Sequence, residues 1–147
     1  MKTLHMKILK ALSLTAVLFM FLTSFTASVG DSAHVGLWKG EDKGDMGYLE
    51  LTSDGYATFE FQGEKMGGKS YYNDGVELAM TYEIDNKKTP AHIDFIMIDK
   101  SENSELGRLK GIIDMKSRDQ LNLAIGFGGG SRPADFAVDA LLFTRVK

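Results

Sequence analysis

The segment VELAMTYEID, residues 76–85, alternates in character from one position to the next. Val76, Leu78, Met80, Tyr82 and Ile84 share one face, while the opposite face is mostly polar or acidic. Successive side chains of a β-strand point to opposite sides, so this alternation predicts a strand with one buried face. No window after residue 28 sustains a 3.6-residue apolar repeat, and we therefore expect an all-β fold.

Seven further segments show the same alternation and are separated by short polar turns. In one of these turns, Ser53-Asp54-Gly55, the glycine can adopt the positive φ of a tight hairpin. Consecutive hairpins need no crossover helices, and closure removes exposed edges, so we predict an eight-stranded antiparallel up-and-down barrel. An open sandwich of seven or eight strands is the alternative. The predicted strands are residues 35–41, 48–52, 56–61, 76–85, 92–99, 108–115, 120–127 and 138–146.

The N-terminal segment has the pattern of a signal peptide. Lys2, Lys7 and Lys10 precede an apolar run, residues 11–25, which is followed by Thr26-Ala27-Ser28. The run is shorter than the roughly 20 residues of a spanning helix, and no second apolar stretch follows. We therefore predict a signal peptide at residues 1–28 and one barrel domain at 29–147, with an uncleaved N-terminal anchor as the alternative.

Composition narrows the functional classes further. The sequence has no cysteine, which excludes a lipid-modified cysteine, disulfides, thiolate metal sites and thiol nucleophiles. Three of the 17 lysines and arginines fall in the signal segment, so the mature domain has 14 basic and 20 acidic residues. Such a surface is a poor partner for nucleic acid or anionic membranes. We expect a secreted or periplasmic protein without a stable membrane span.

Two groups of residues carry a resemblance to a known family. Gly36-Leu37-Trp38 opens the first predicted strand, and Arg145 lies in the last. They resemble the lipocalin-like members of the calycin superfamily, in which a Gly-x-Trp and a last-strand arginine close one end of the barrel. The resemblance implies that Gly36, Trp38 and Arg145 close the floor here, with the guanidinium stacked on the indole.

Residues 82–147 are similar to a family of exported bacterial lipocalin-like proteins of unknown function. Most of this similarity lies in short motifs within the predicted strands and turns, and the N-terminal half matches only through Gly36 and Trp38. The motifs are Thr89-Pro90 before His92-Ile93-Asp94, Gly111-Ile112-Ile113-Asp114-Met115, Gln120-Leu121-Asn122-Leu123, Arg132-Pro133-Ala134-Asp135-Phe136 and Leu141-Leu142.

The predicted inward side chains are bulky, and two interpretations of the interior stay open. Native interiors pack densely, so these side chains can fill the barrel. Methionines, however, adapt to varied apolar guests. We predict a binder of a small apolar or amphipathic ligand, with a filled-barrel module that binds a protein through its loops as the alternative and a hydrolytic enzyme third. The candidate ligand-binding residues are Phe59, Phe61, Met80, Tyr82, Phe95 and Phe127.

Two motifs resemble functional sites, and for both we prefer a structural interpretation. Residues 63–70 match the phosphate-loop pattern G-x-x-x-x-G-K-S, but the following residues lead into a turn and a strand, not a helix. We instead expect residues 63–75 to form a mobile loop at the barrel mouth, with Tyr71 and Tyr72 over the opening. His92 and Asp94 share a strand face, but spacing indicates no third metal ligand. We therefore predict no catalytic residue, metal site or cofactor.

Overall fold

The structure, a computed structural model, describes residues 32–42 and 45–147, and the predicted signal peptide lies outside this part of the chain. No helix among these residues is long and apolar enough to cross a membrane. The described residues form ten β-strands: β1 Gly36–Asp42, β2 Asp45–Leu51, β3 Ala57–Phe61, β4 Glu64–Gly67, β5 Tyr71–Asn73, β6 Val76–Asp85, β7 Ala91–Asp99, β8 Ser104–Ser117, β9 Gln120–Gly126 and β10 Ala140–Arg145.

The ten strands form one antiparallel sheet in which the last strand pairs with the first. The order is β4-β3-β2-β1-β10-β9-β8-β7-β6-β5. Apart from the β1–β10 pair, all neighbouring strands are consecutive in the sequence. Trp38 on β1 lies opposite Arg145 on β10, and Gly40 lies opposite Phe143. The all-β, antiparallel up-and-down arrangement predicted from the alternation is thus confirmed.

The two edges of the sheet, β4 and β5, approach each other and nearly close the barrel. The amide of Met80 on β6 donates a hydrogen bond to the Gly68 carbonyl at 2.9 Å, and the Tyr82 amide donates one to Gly55 at 2.9 Å. Tyr56 and Thr81 also form an isolated antiparallel bridge. Backbone groups that an open sheet would leave unpaired are satisfied here, which reduces the exposed edge.

The predicted strand count was wrong, because the segment predicted as a mobile loop contains β4 and β5. Both strands belong to tight hairpins whose turn residues have positive φ: Gln62 and Gly63 between β3 and β4, and Asp74 and Gly75 between β5 and β6. Positive φ at both central residues is the geometry of a two-residue hairpin turn that matches strand twist. The phosphate-loop pattern therefore lies on a strand and its turns, without the helix that a phosphate site needs.

The inward faces of nine strands, all except β4, build a continuous apolar interior. Buried members of the core cluster alternate along the strands, for example Leu121, Leu123 and Ile125 on β9. Hydrophobic burial of this kind is the dominant stabilising term of a domain without disulfides. The remaining buried members of the cluster are Trp38, Leu49, Leu51, Ala57, Met80, Ile93, Phe95, Ile113 and Phe143.

The connection between β9 and β10, residues 127–139, is tied to the outside of the barrel. Arg132 donates hydrogen bonds from Nη1 to the carbonyls of Gly111 (2.6 Å) and Ile93 (3.2 Å), on β8 and β7. Ile112 on β8 and Ala124 on β9 alternate with core residues and therefore face outward. Both are nevertheless buried. The long connection thus lies against the barrel wall.

Candidate functional site

One end of the barrel, called here the floor, is sealed around Trp38. Its indole is fully buried, and its Nε1 donates a hydrogen bond to the His34 carbonyl at 2.8 Å. The Arg145 guanidinium carbon lies 4.0 Å from the centre of a Trp38 ring, in cation–π geometry. Arg145 also donates hydrogen bonds to the carbonyls of Val35 (2.8 Å) and Ala33 (2.6 Å), which fastens the chain before β1 across the floor.

Gly36 leaves room for this arrangement. It has a φ of +143°, and a Cβ at this position would collide with Nη1 of Arg145. A larger residue would therefore displace the guanidinium from the indole. The structure places Gly36, Trp38 and Arg145 together at the floor.

Fully buried side chains occupy the middle of the barrel. Met80 and Phe95 are fully buried, and the Phe59 ring meets the Phe95 ring edge-on at 4.8 Å between centroids. Aromatic rings prefer such edge-to-face contacts. Met80 and Phe95 therefore lie in the protein's own core.

The opposite end, called here the mouth, contains an apolar cleft of about 360 Å³. The wall of the cleft comes from inward side chains of β3, β8, β9 and β10. Two aromatic residues, Phe61 (47% exposed) and Phe127 (69% exposed), stand at its rim. The apolar lining residues are Phe59, Phe61, Met66, Leu109, Leu123, Ile125, Phe127, Leu141 and Phe143, with Gly40 and Gly47 beneath.

A few polar groups interrupt this lining near the mouth. Asp45 and Asp139 share the inward phase of β2 and β10, whereas Tyr48 and Glu60 border the cleft from positions that alternate with the inward Leu49 and Phe59. Gln62 Nε2 donates a hydrogen bond to Asp45 Oδ2 at 3.3 Å, and Glu60 pairs with Lys65 at 3.4 Å. An apolar cavity with a small number of polar groups at its entrance is typical of sites for small molecules.

The structure separates the six predicted ligand-binding residues. It brings Phe59, Phe61 and Phe127 together in the cleft, and it places Met80 and Phe95 in the packed middle. Tyr82 lies near the floor, where its hydroxyl donates a hydrogen bond to the Thr52 carbonyl at 2.7 Å. His34 Nε2 lies 3.2 Å from the same hydroxyl.

Sequence reasoning missed several residues of the cleft. Met66 lies on β4, inside the segment predicted as a loop, and Leu109 and Leu141 are absent from the six predicted ligand-binding residues. The alternation of the sequence could have identified two of them. Leu109 lies on the same strand face as Gly111 and Ile113, and Leu141 lies on the same face as Phe143. Asp45 and Asp139 have no such signal, because they reach the same cleft only when β2 and β10 both pair with β1.

A second cavity, of about 450 Å³, lies at the floor end beside the turn between β6 and β7. Its lining mixes apolar strand residues with the polar turn side chains Asn86, Lys88 and Thr89 and with Phe136 of the β9–β10 connection. Turn side chains therefore make this cavity more polar than the cleft at the mouth. The cleft at the mouth is the better candidate site, since converging strands enclose it with apolar side chains.

The His92 and Asp94 pair gives no metal site. Asp94 accepts a hydrogen bond from Arg108 Nη1 at 2.9 Å, and Arg132 Nη2 lies 2.7 Å from its other oxygen. Burial alone would raise the pKa of Asp94, but the two guanidinium groups outweigh it and hold the pKa below its usual value. Within residues 32–42 and 45–147, no three histidine, aspartate or glutamate residues are grouped to hold a metal ion.

Comparisons with known proteins identify no related protein. No protein-family model, no curated protein and no solved structure matches this chain. The site is therefore described by its own geometry: a nearly closed antiparallel barrel, sealed by Trp38 and Arg145 at one end and open in an apolar cleft at the other.

Proposed function

We propose that this chain is an exported, lipocalin-like protein that binds a small amphipathic molecule at the mouth of its barrel. The observation that carries the proposal is the apolar cleft of about 360 Å³. Pockets for small molecules measure roughly 300–1,000 Å³ and combine an apolar lining with few polar groups. The packed middle of the barrel limits the ligand to the mouth, so only its apolar part would be enclosed.

Two further features support the export and family parts of the proposal. Residues 1–28 have the basic, apolar and small-residue order of a signal peptide. Pairing of the first strand with the last, and Arg145 over Trp38, agree with the lipocalin-like resemblance.

The chemistry of the cleft favours binding over catalysis. Its lining includes no histidine, serine, threonine or lysine among the described residues. The depressed pKa of Glu105 has its cause on the outside of the barrel, where Arg108 donates hydrogen bonds to its carboxylate. Perturbed groups that cluster in a cleft would indicate an active site, and here they lie away from it.

A neutral apolar dye, N-phenyl-1-naphthylamine, tests the proposal. Its fluorescence should rise on binding to the purified protein. Phe127→Ala should weaken binding by about 3- to 10-fold, because it removes an aromatic contact worth about 0.5–1.5 kcal/mol at the rim. The matched control is Tyr72→Ala, which removes an equally exposed aromatic ring (72%) outside the cleft lining.

Solvent extraction and native mass spectrometry of the same preparation should reveal a small co-purifying molecule. The proposal fails if the dye does not bind and no apolar or amphipathic mass is recovered. An equal loss in both alanine variants would also contradict it, since the dye would then bind outside the cleft. Either result would favour the alternative in which the loops of a filled barrel bind a protein.

A further inference from the structure

The charged groups that line the cleft are all acidic. Asp45, Glu60 and Asp139 border it, and no lysine, arginine or histidine of the described residues joins them. We infer that the ligand is a cationic amphiphile, an alkyl- or arylammonium compound whose apolar part enters the cleft and whose positive charge stays at the rim. This inference rests on the proposed function and adds the chemical class of its ligand.

The carboxylates at the mouth are only partly compensated. Glu60 has Lys65 at 3.4 Å, a solvent-exposed pair, and such pairs contribute little. Asp45 has a neutral partner, the Gln62 amide, and the described residues give Asp139 no ion pair. Two carboxylates therefore keep their charge available to a cation that enters the mouth.

Aromatic rings at the same rim add a second source of attraction for a cation. Phe61 and Phe127 border the same cleft as Asp45 and Asp139. The negative face of an aromatic ring attracts an ammonium group within about 6 Å of its centre. A quaternary or primary ammonium head would thus find both ring faces and carboxylates.

The lower part of the cleft suits only an apolar group. Phe59, Leu123, Ile125 and Phe143 form this part, and no polar side chain lies among them. A charge placed there would lose its hydration without a partner, at high cost. The head group must therefore remain at the acidic rim, where the carboxylate of a fatty acid would face like charges.

Displacement of N-phenyl-1-naphthylamine by three decyl compounds, each below its micelle concentration, tests the inference. The probes are decyltrimethylammonium, decanoate and neutral decanol, which share one tail and differ in head group. In 20 mM salt the cation should bind about tenfold tighter than decanol, and decanoate should bind more weakly than decanol. Raising salt to 0.5 M should remove most of the cation's advantage.

Two double variants localise the effect. Asp45→Asn with Asp139→Asn should abolish most of the cation's preference, measured as the ratio of its affinity to that of decanol in the same variant. The control, Glu50→Gln with Asp85→Asn, removes the same charge from the outer wall and the floor end and should keep the preference. Glu50 is exposed on β2 and does not line the cleft.

The outcomes separate this inference from the proposed function. Equal binding of all three decyl compounds, or tighter binding of decanoate, overturns the cationic class and leaves an amphiphile-binding cleft in place. Equal loss of preference in both double variants also overturns it, because the effect would then come from net charge alone. Failure of all three compounds and of the dye to bind removes the proposed function, and the inference with it.

Discussion

Asp94 joins three parts of the barrel through a single carboxylate. It lies on β7, accepts a hydrogen bond from Arg108 on β8 and contacts Arg132 of the β9–β10 connection. Arg108 also pairs with Glu83 on β6 and with Glu105. Networks of this kind cost more to break than isolated surface pairs, because a partly buried guanidinium loses its acceptor. Asp94 thus holds residues 127–139 against the barrel wall.

The lowered pKa of Asp94 predicts acid-labile folding. A carboxyl whose folded pKa lies below its unfolded value contributes stability that is fully present above the unfolded pKa and disappears as the pH falls through the folded pKa. The ordinary pKa of an aspartate carboxyl is 3.8. The urea concentration at the midpoint of unfolding should therefore decrease as the pH falls below about 4. In Asp94→Asn the midpoint should be lower at pH 7 and should change less with pH in this acid range.

A matched control is Asp114→Asn, which removes a carboxylate from an exposed pair with Lys116. This variant should keep the acid dependence of the parent. If Asp94→Asn unfolds with the parental slope between pH 4 and pH 2, Asp94 does not supply the acid sensitivity.

Among the elements, β4 is the clearest case in which tertiary contacts override a weak local pattern. Its four residues carry two charges and end in a glycine, and alternation cannot be recognised over so short a stretch. It forms because the Gln62-Gly63 turn reverses the chain beside β3, and Phe59 pairs with Met66 across the hairpin. At its end, the Gly68 amide donates a hydrogen bond to the Ala57 carbonyl at 2.7 Å.

Gly67→Ala should destabilise this hairpin and open the gap in the barrel. Gly67 has a φ of +116°, and a Cβ there would collide with the Ala57 carbonyl and lie 3.1 Å from the Thr58 Cα. We expect a loss of about 2–4 kcal/mol from backbone strain and overlap. Amide hydrogen exchange of Met80, whose hydrogen bond to the Gly68 carbonyl bridges the gap, should accelerate. Exchange of the Gly68 amide, which is bonded to Ala57 within the hairpin, should accelerate as well.

Gly63→Asn is the control for positive φ alone. Gly63 has a φ of +83° with open space around its Cβ position, and asparagine tolerates this conformation. Its stability should change by less than about 1 kcal/mol. Parental exchange rates in Gly67→Ala would show that β4 does not close the barrel.

For the molecule as a whole, the two ends of the barrel differ in how their interior is closed. At the floor, a tryptophan and an arginine span the interior and hydrogen-bond to the chain before β1. At the mouth, the apolar side chains of β3, β8, β9 and β10 enclose a cleft of about 360 Å³. The buried indole therefore stabilises the floor, and the proposed ligand would bind at the other end.

Trp38→Ala should therefore destabilise the entire barrel. Removing a fully buried indole leaves a cavity and an arginine without its stacking partner, at a cost of about 3–5 kcal/mol. This is a large fraction of the stability of a domain of this size, about 5–15 kcal/mol. Urea unfolding followed by far-ultraviolet circular dichroism measures the loss.

Leu37→Ala is the neighbouring control, because Leu37 points outward and is 40% exposed. We expect a change of less than about 1 kcal/mol. A Trp38→Ala variant that unfolds at the parental urea concentration would show that the indole does not hold the floor.

The eight longer strands could be predicted because alternation records which face is buried, and their register follows from the hairpins. Boundaries were less certain: β8 begins at Ser104, four residues before its predicted start, since polar residues at that end pair with β7. Phe127 illustrates the same limit at the cleft. It continues the inward phase of β9, but the strand ends at Gly126, so its ring stands at the rim.

The amino-acid sequence alone determined the all-β class, the antiparallel hairpin order and the candidate floor, because these depend on local alternation, turn residues and one tryptophan–arginine pair. Tertiary structure decided the two short strands, the packed middle and the acidic rim of the cleft. Those features arise where distant strand ends converge, and the volume left between them depends on how side chains from many strands share one interior.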